Sequence, residues 1–167
     1  VNSAESIKPQ YAVQRLYELT KDKDTYITTE VGQHQMWAAQ HYTFTKPNSL
    51  ITSGGLGAMG FEVPAAMGAQ LGCPKDVVWS IAGDGGFQMT MHEIATMVEN
   101  NIPVKFAIFN NGYLGMVRQW QDMFYEKSYV ATHYTNNPDF VKLADAFGIF
   151  GVRVTTEKEV LPAIKAA

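Results

Sequence analysis

The chain has 167 residues, 46% of them hydrophobic and 17% charged, which is enough apolar material to enclose a core in one domain. A net charge of −3 leaves no basic footprint for nucleic acid, and no run approaches the ~18 consecutive apolar residues of a membrane span. One cysteine, Cys73, excludes an internal disulfide, and no charged-then-apolar signal opens the chain, so the expected setting is cytoplasmic or an organelle stroma.

Residues 1–9 are polar and read as an entry linker. Val1 at the start and Ala166-Ala167 inside a helical pattern at the end read as a single domain, 1–167, excised from a larger chain and truncated at its C-terminus. Apolar spacing predicts a helix over 9–19, with Val13, Leu16 and Tyr17 on one face and Pro9 near its start. A short strand over 26–29 runs directly into Glu30-Val31-Gly32-Gln33-His34-Gln35-Met36-Trp37, and a second helix continues through Ala38, Ala39 and Gln40. Leu50-Ile51-Thr52 is the next strand, followed by the glycine loop Gly54-Gly55-Leu56-Gly57-Ala58-Met59-Gly60. Gly55, Gly57 and Gly60 match the spacing of a dinucleotide fingerprint. The acid that fingerprint requires at the end of a second strand is missing, because Asp76 precedes the next strand and Asp84 has another role. The nicotinamide reading is therefore a decoy. After Pro64, residues 65–71 form a small-residue helix suited to close packing on a sheet.

Residues 77–82 are a β-branched apolar run and read as a buried strand. Thr90-Met91-His92-Glu93 matches a capping box, and Met91, Ile94, Ala95 and Val98 continue at helical spacing until Asn100-Asn101 and Pro103 end it. Residues 104–109 are a second buried strand, so the unit is strand, crossover helix, parallel strand. From Tyr113 a loop turns into a helix through Trp120, and Phe124, Tyr125 and Tyr129 extend an aromatic-rich stretch. Asn137-Pro138-Asp139 opens a helix that buries Phe140, Leu143, Ala144 and Phe147 and stops at Gly148. Val152-Arg153-Val154 is a last strand, and 157–167 a helix. The alternation predicts an α/β fold, a doubly wound and mostly parallel sheet with helices on both faces.

Asp84 and Asn111 each fall just past the carboxyl end of a predicted parallel strand, the edge where open α/β sheets bind ligands. A carboxylate and an amide oxygen are hard ligands suited to magnesium or calcium, and magnesium fills its shell with water and phosphate oxygens. Glycines beside Asp84 allow backbone N–H groups to approach an anion. A metal-bridged diphosphate site follows. His34, His41, His92 and His133 share no metal-ligand spacing.

Gly83-Asp84-Gly85 with Asn110-Asn111 at this distance resembles the metal and diphosphate motif of the thiamine diphosphate enzymes. Three longer strings, Val31 to Gln40, Thr52 to Gly60 and Gly115 to Gln121, resemble the acetohydroxyacid (acetolactate) synthase branch of that family, in the domain that holds the cofactor diphosphate. The resemblance implies that the side chains of Asp84 and Asn111 and the main-chain carbonyl of Tyr113 bind Mg2+. It implies that Val31, Gly32, Gln33 and His34 line the diphosphate end, and that Gly83, Asp84, Gly85, Gly86, Tyr113, Leu114, Gly115 and Met116 wrap the metal and phosphates. Gly57 and Met59 would lie near the aminopyrimidine, with Met59 as its apolar prop, and Val117 and Trp120 would face the substrate. The implied parent condenses pyruvate with a second 2-keto acid, such as 2-ketobutyrate, in branched-chain amino acid biosynthesis. Its implied partners are the rest of its own chain, a second catalytic subunit and a regulatory subunit, and FAD belongs to a middle domain outside this chain. The catalytic glutamate is implied to lie in a further domain, so no catalytic residue is expected here. Another pyruvate-using thiamine enzyme such as an oxidase, or an isolated cofactor-binding module, stands as the alternative. Glu62 occupies a place where the family pattern has a small residue.

Overall fold

The computed structural model describes residues 6–167, so the expected linker over 1–9 lies in part outside the described residues. Helix α1 (Pro9–Thr20) opens on a proline, whose missing N–H would be unpaired there in any case. Strand β1 (Thr25–Thr29), α2 (Gln33–His41), β2 (Leu50–Thr52), α3 (Glu62–Gly72) and β3 (Val77–Gly83) follow. Then come α4 (Asp84–Thr90), a 3-10 turn (Met91–Glu93), α5 (Ile94–Glu99) and β4 (Lys105–Phe109). Helices α6 (Gly115–Phe124), α7 (Phe140–Ala146) and α8 (Glu157–Ala166) complete the order.

The sheet has strand order β2-β1-β3-β4, and every neighbouring pair is parallel. The register runs from Thr25↔Val77 to Thr29↔Ile81 in the centre, and from Trp79↔Lys105 to Gly83↔Phe109 beside it. Alternation along the strands divides the core. Ile27, Trp79 and Ile81 pack against Val13 and Leu16 of α1 and Ala38 of α2, with Ile164 of α8 at the margin. Ala82 joins the opposite layer, where Val63, Phe87, Ile94 and Met97 from α3, α4 and α5 meet Phe140 and Leu143 of α7. Helices therefore cover both faces, as a parallel sheet requires.

Three local expectations are corrected. Thr90 caps nothing: the helix after β3 already starts at Asp84, and Thr90 Oγ1 donates to the Gly60 carbonyl at 2.7 Å. The crossover is two short helices joined by the 3-10 turn. Glycines at 85 and 86 hid the first of them, because glycine is a poor helix former. The capping box that does form joins Thr156 and Glu159 at the head of α8. Second, α3 starts at Glu62, ahead of Pro64, which a first helical turn tolerates. Third, residues 152–154 are not a strand. Val152 is exposed and Arg153 Nη2 donates to Asp139 Oδ1 at 2.9 Å, and so short an alternation does not distinguish a strand from an extended connection.

Glu62 is fully buried, and neither of its carboxyl oxygens has a hydrogen-bond partner. Burial, reinforced by the charge of Glu30, pushes its pKa from an ordinary 4.5 to about 8, so the folded chain holds it as a neutral acid at pH 7. The folded state then binds a proton that the unfolded state has released. Stability is fully present below the ordinary value and declines as pH rises through about 8. Thermal unfolding should give a Tm that falls across this window, and Glu62→Gln should flatten the fall. Glu62→Met, which keeps volume and removes the unpartnered oxygens, should stabilise the chain by about 1–3 kcal/mol in denaturant titrations near neutral pH.

Candidate functional site

The chain steps from β1 outward to β2 and then crosses back to β3, so the strand order reverses between β1 and β3. The crevice at such a reversal, on the carboxyl edge, is where doubly wound sheets take ligands. Parallel strands also launch every following helix from that edge: α2 starts at Gln33, α4 at Asp84 and α6 at Gly115. Helix N-termini carry unpaired amides and the positive end of the helix dipole, so their convergence favours an anion. A cleft of about 670 Å³ opens there.

Its walls carry Val31, Gly32, Gln33, His34, Met59, Gly83, Asp84, Gly85, Gly86, Asn111, Tyr113, Leu114, Gly115, Met116, Val117 and Trp120, each singled out from the sequence. Gly57 is not on the wall; it has φ +63°, and a side chain there would meet Val31 Cγ2 at 3.6 Å. The sequence reading put Glu30 near the diphosphate end without a role there, and missed Trp37, Phe109, Gln121, Tyr125, Ser128 and Val130 on the same walls. Position gave a signal for Glu30, directly ahead of the Val31–Gly32 pair, and for Phe109, at the end of a strand on the ligand edge. Residues 121–130 carry no periodicity that would have placed them.

Asp84 is buried, and its carboxylate accepts from three segments. Gly85 N–H donates to Oδ1 at 3.0 Å, Gly112 N–H to Oδ2 at 2.7 Å, and Asn137 Nδ2 to Oδ2 at 2.6 Å. Asn111, across the loop after β4, accepts from the Tyr113 N–H at 3.0 Å through its Oδ1. Residues 132–137 cross this loop as a strap. Leu114 N–H donates to Thr132 O at 2.9 Å, Tyr134 N–H to Gly112 O at 2.8 Å, and the His133 ring stacks on Tyr113 at 4.7 Å. Among the described residues no three His, Cys, Asp or Glu side chains gather to hold a metal ion. A cation at this edge would rest on one carboxylate, one amide oxygen and a main-chain carbonyl. That sparse all-oxygen set fits magnesium completed by water and phosphate oxygens.

A second carboxyl lies on the inner wall of the cleft. Glu30 is buried, accepts from the Gly60 N–H at 2.6 Å through Oε2, and fills the space a side chain on Gly86 would need. Gly86 is thus required by close approach. Burial raises the Glu30 pKa to about 7; the amides of Gly60 and Gly83 oppose the shift and the charge of Asp84 adds to it. Burial also lowers His34 to about 4, so its imidazole is neutral at pH 7. Its Nε2 lies 3.6 Å from Glu30 Oε1 without a hydrogen bond. Gly60 is held from both sides, its N–H by Glu30 and its carbonyl by Thr90, which fixes Met59 on the wall. Gln33 Nε2 donates to Gln119 Oε1 at 2.9 Å, joining the head of α2 to the second turn of α6.

Comparison with known proteins agrees with this geometry. Residues 30–167 match the family described as "Thiamine pyrophosphate enzyme, C-terminal TPP binding domain". The chain is 51% identical over 166 residues to "Acetolactate synthase" of Mycobacterium bovis, covering 97% of this chain and 27% of that protein. It is 54% identical over 164 residues to "Acetolactate synthase, mitochondrial" of Schizosaccharomyces pombe, covering 96% of this chain and 24% of that protein. It is 50% identical over 144 residues to "Acetolactate synthase isozyme 2 large subunit" of Escherichia coli, covering 86% of this chain and 26% of that protein. The chain spans about a quarter of the length of these relatives. On its parallel α/β fold, its cleft at the strand reversal and this match, the chain belongs to the thiamine pyrophosphate enzymes, as their C-terminal TPP-binding domain.

Proposed function

We propose that this chain is the diphosphate- and magnesium-holding domain of an acetolactate synthase catalytic subunit, a parent that condenses pyruvate with a second 2-keto acid. The observation that carries the reading is the Asp84 carboxylate, buried at the meeting of β3, α4 and the loop after β4, on a cleft fed by helix N-termini. The relatives' being acetolactate synthases supports the choice of reaction. Asp84, Asn111 and the Tyr113 carbonyl hold the magnesium ion. Main-chain amides at the heads of α4 and α6, around Gly86, Gly115 and Met116, face the diphosphate, while the Gly85 N–H is held by Asp84 Oδ1. Gln33 and His34 offer donors at the head of α2, and neutral His34 does so without adding charge. Met59 supports the cofactor's ring, and Val117 and Trp120 stand on the substrate side.

Bound thiamine diphosphate supplies the electron sink for decarboxylating a 2-keto acid, and the chain supplies position and oriented dipoles. The carboxylate that serves the aminopyrimidine comes from a further domain of the parent, on a second catalytic subunit. Glu30 is already committed to Gly60, and Glu62 is sealed from solvent. FAD, where the parent uses it, belongs to the middle domain. Val117, Trp120, Met123, Phe124, Tyr125 and Val130 are all exposed. So much apolar surface beside the cleft is consistent with cover from the rest of the parent.

Asp84→Ala should abolish magnesium-dependent binding of thiamine diphosphate, and Asn111→Ala should weaken it by about tenfold, since a neutral ligand is lost rather than a charge. Calorimetric titration with and without magnesium decides; unchanged affinity in Asp84→Ala refutes the site. The isolated chain should make no acetolactate in a colour assay with saturating pyruvate, cofactor and magnesium. Turnover near that of a full-length relative would show that the needed carboxylate is inside this chain.

A further inference from the structure

Sequence reading places Asn137 only at the start of a helix, yet it makes the shortest of the contacts to Asp84. Its Nδ2 donates to Asp84 Oδ2 at 2.6 Å and to Asn110 Oδ1 at 2.9 Å. Its own Oδ1 accepts from Gln88 Nε2 of α4 at 3.4 Å. Two acceptors on one side and a donor on the other fix which way the amide points. The strap that carries it is tied to the loop after β4 by the Tyr134 N–H to Gly112 O bond, so the side chain is aimed from a held backbone.

A carboxylate offers about four lone-pair sites. On Asp84, Oδ2 uses both of its sites, one for the Gly112 N–H and one for Asn137, while Oδ1 uses one for the Gly85 N–H. A single site remains, on Oδ1. Magnesium accepts a carboxylate through one oxygen and demands near-octahedral order, whereas calcium takes more ligands and accepts carboxylates through both oxygens.

We propose that Asn137 is a positioning residue that occupies Oδ2 of Asp84, leaves only Oδ1 open to a cation, and so biases the site toward magnesium over calcium. The proposal rests on the reading of Asp84 as a metal carboxylate. Removing the Asn137 amide would free one site on Oδ2 and admit two-oxygen binding, which favours the larger ion.

The test is titration of the chain with magnesium or calcium chloride in the presence of thiamine diphosphate, followed by the fluorescence of the cleft residues Trp37 and Trp120. The native chain should prefer magnesium. Asn137→Ala and Asn137→Leu should each move the ratio of magnesium to calcium affinity toward calcium by about tenfold, the equivalent of one hydrogen bond to a charged group. His133→Ala, which removes the strap's stack on Tyr113 and leaves Asp84 untouched, should weaken both cations alike and keep the ratio. A loosened strap alone would give that second result for Asn137 as well. If binding depends on Asp84 and the ratio is the same in the native chain and both Asn137 variants, or if the native chain prefers calcium, this proposal fails and the metal reading stands. If neither cation promotes binding, or Asp84→Ala leaves it intact, the metal reading fails and takes the proposal with it.

Discussion

The parallel alignment of β1, β3 and β4 is the constraint from which the rest of the site follows. Because the three strands point the same way, each ends on one edge, and each must be followed there by a turn into a helix. That geometry delivers Gln33, Asp84 and Gly115 to a common rim although they are far apart in the chain. It also sets three helix N-termini around one cleft, where their amides cannot be paired within their own helices. A site for an anion is thus a consequence of topology before any particular side chain is considered.

Negative charge at the same rim needs separate control. Asp84 lies at the head of α4 with three hydrogen-bond donors around its carboxyl oxygens. Glu30 lies on the inner wall of the same cleft. Its burial lifts its pKa toward neutrality, so the proton it gains limits repulsion against Asp84 and against any phosphate in front. Glu62 is deeper still and stays neutral at pH 7. Two carboxyls whose environments push them apart from a third let acidic residues crowd beneath an anion site.

Close approach explains the two glycines of α4 better than turn geometry does. Gly86 is needed because Glu30 occupies the place of its side chain, and Gly85 because the Tyr134 hydroxyl lies 2.7 Å from where a Cβ would be. Both sit in a helix, at negative φ, where a turn argument has no purchase. The strap over 132–137 joins this arrangement through Asn137 and Tyr134, binding a segment distant in sequence to the centre of the site.

The sequence by itself determined the fold class, the parallel strands at 77–82 and 104–109 and most of the cleft wall. Strands 77–82 and 104–109 were legible because buried parallel strands are runs of β-branched and apolar residues, and Asp84 and Asn111 because they follow those runs directly. Long strings such as Val31 to Gln40 carried the family. Other features waited for tertiary structure. Helix α4 was hidden because glycine at 85 and 86 argues against a helix, and only the packing of Phe87 on Phe106 and Phe140 overrides that preference. Thr90 looked like a cap because its spacing to Glu93 is that of a capping box, yet its hydroxyl found the Gly60 carbonyl, thirty residues away. Glu30 and Asn137 stood at legible positions, one ahead of the Val31–Gly32 pair and the other at the start of a helix, but nothing local said what either does. What each does depends on the groups that surround it, Gly60, Gly83 and Gly86 for the one and Asp84, Asn110 and Gln88 for the other, and those neighbours are brought together only when the sheet closes on its helices.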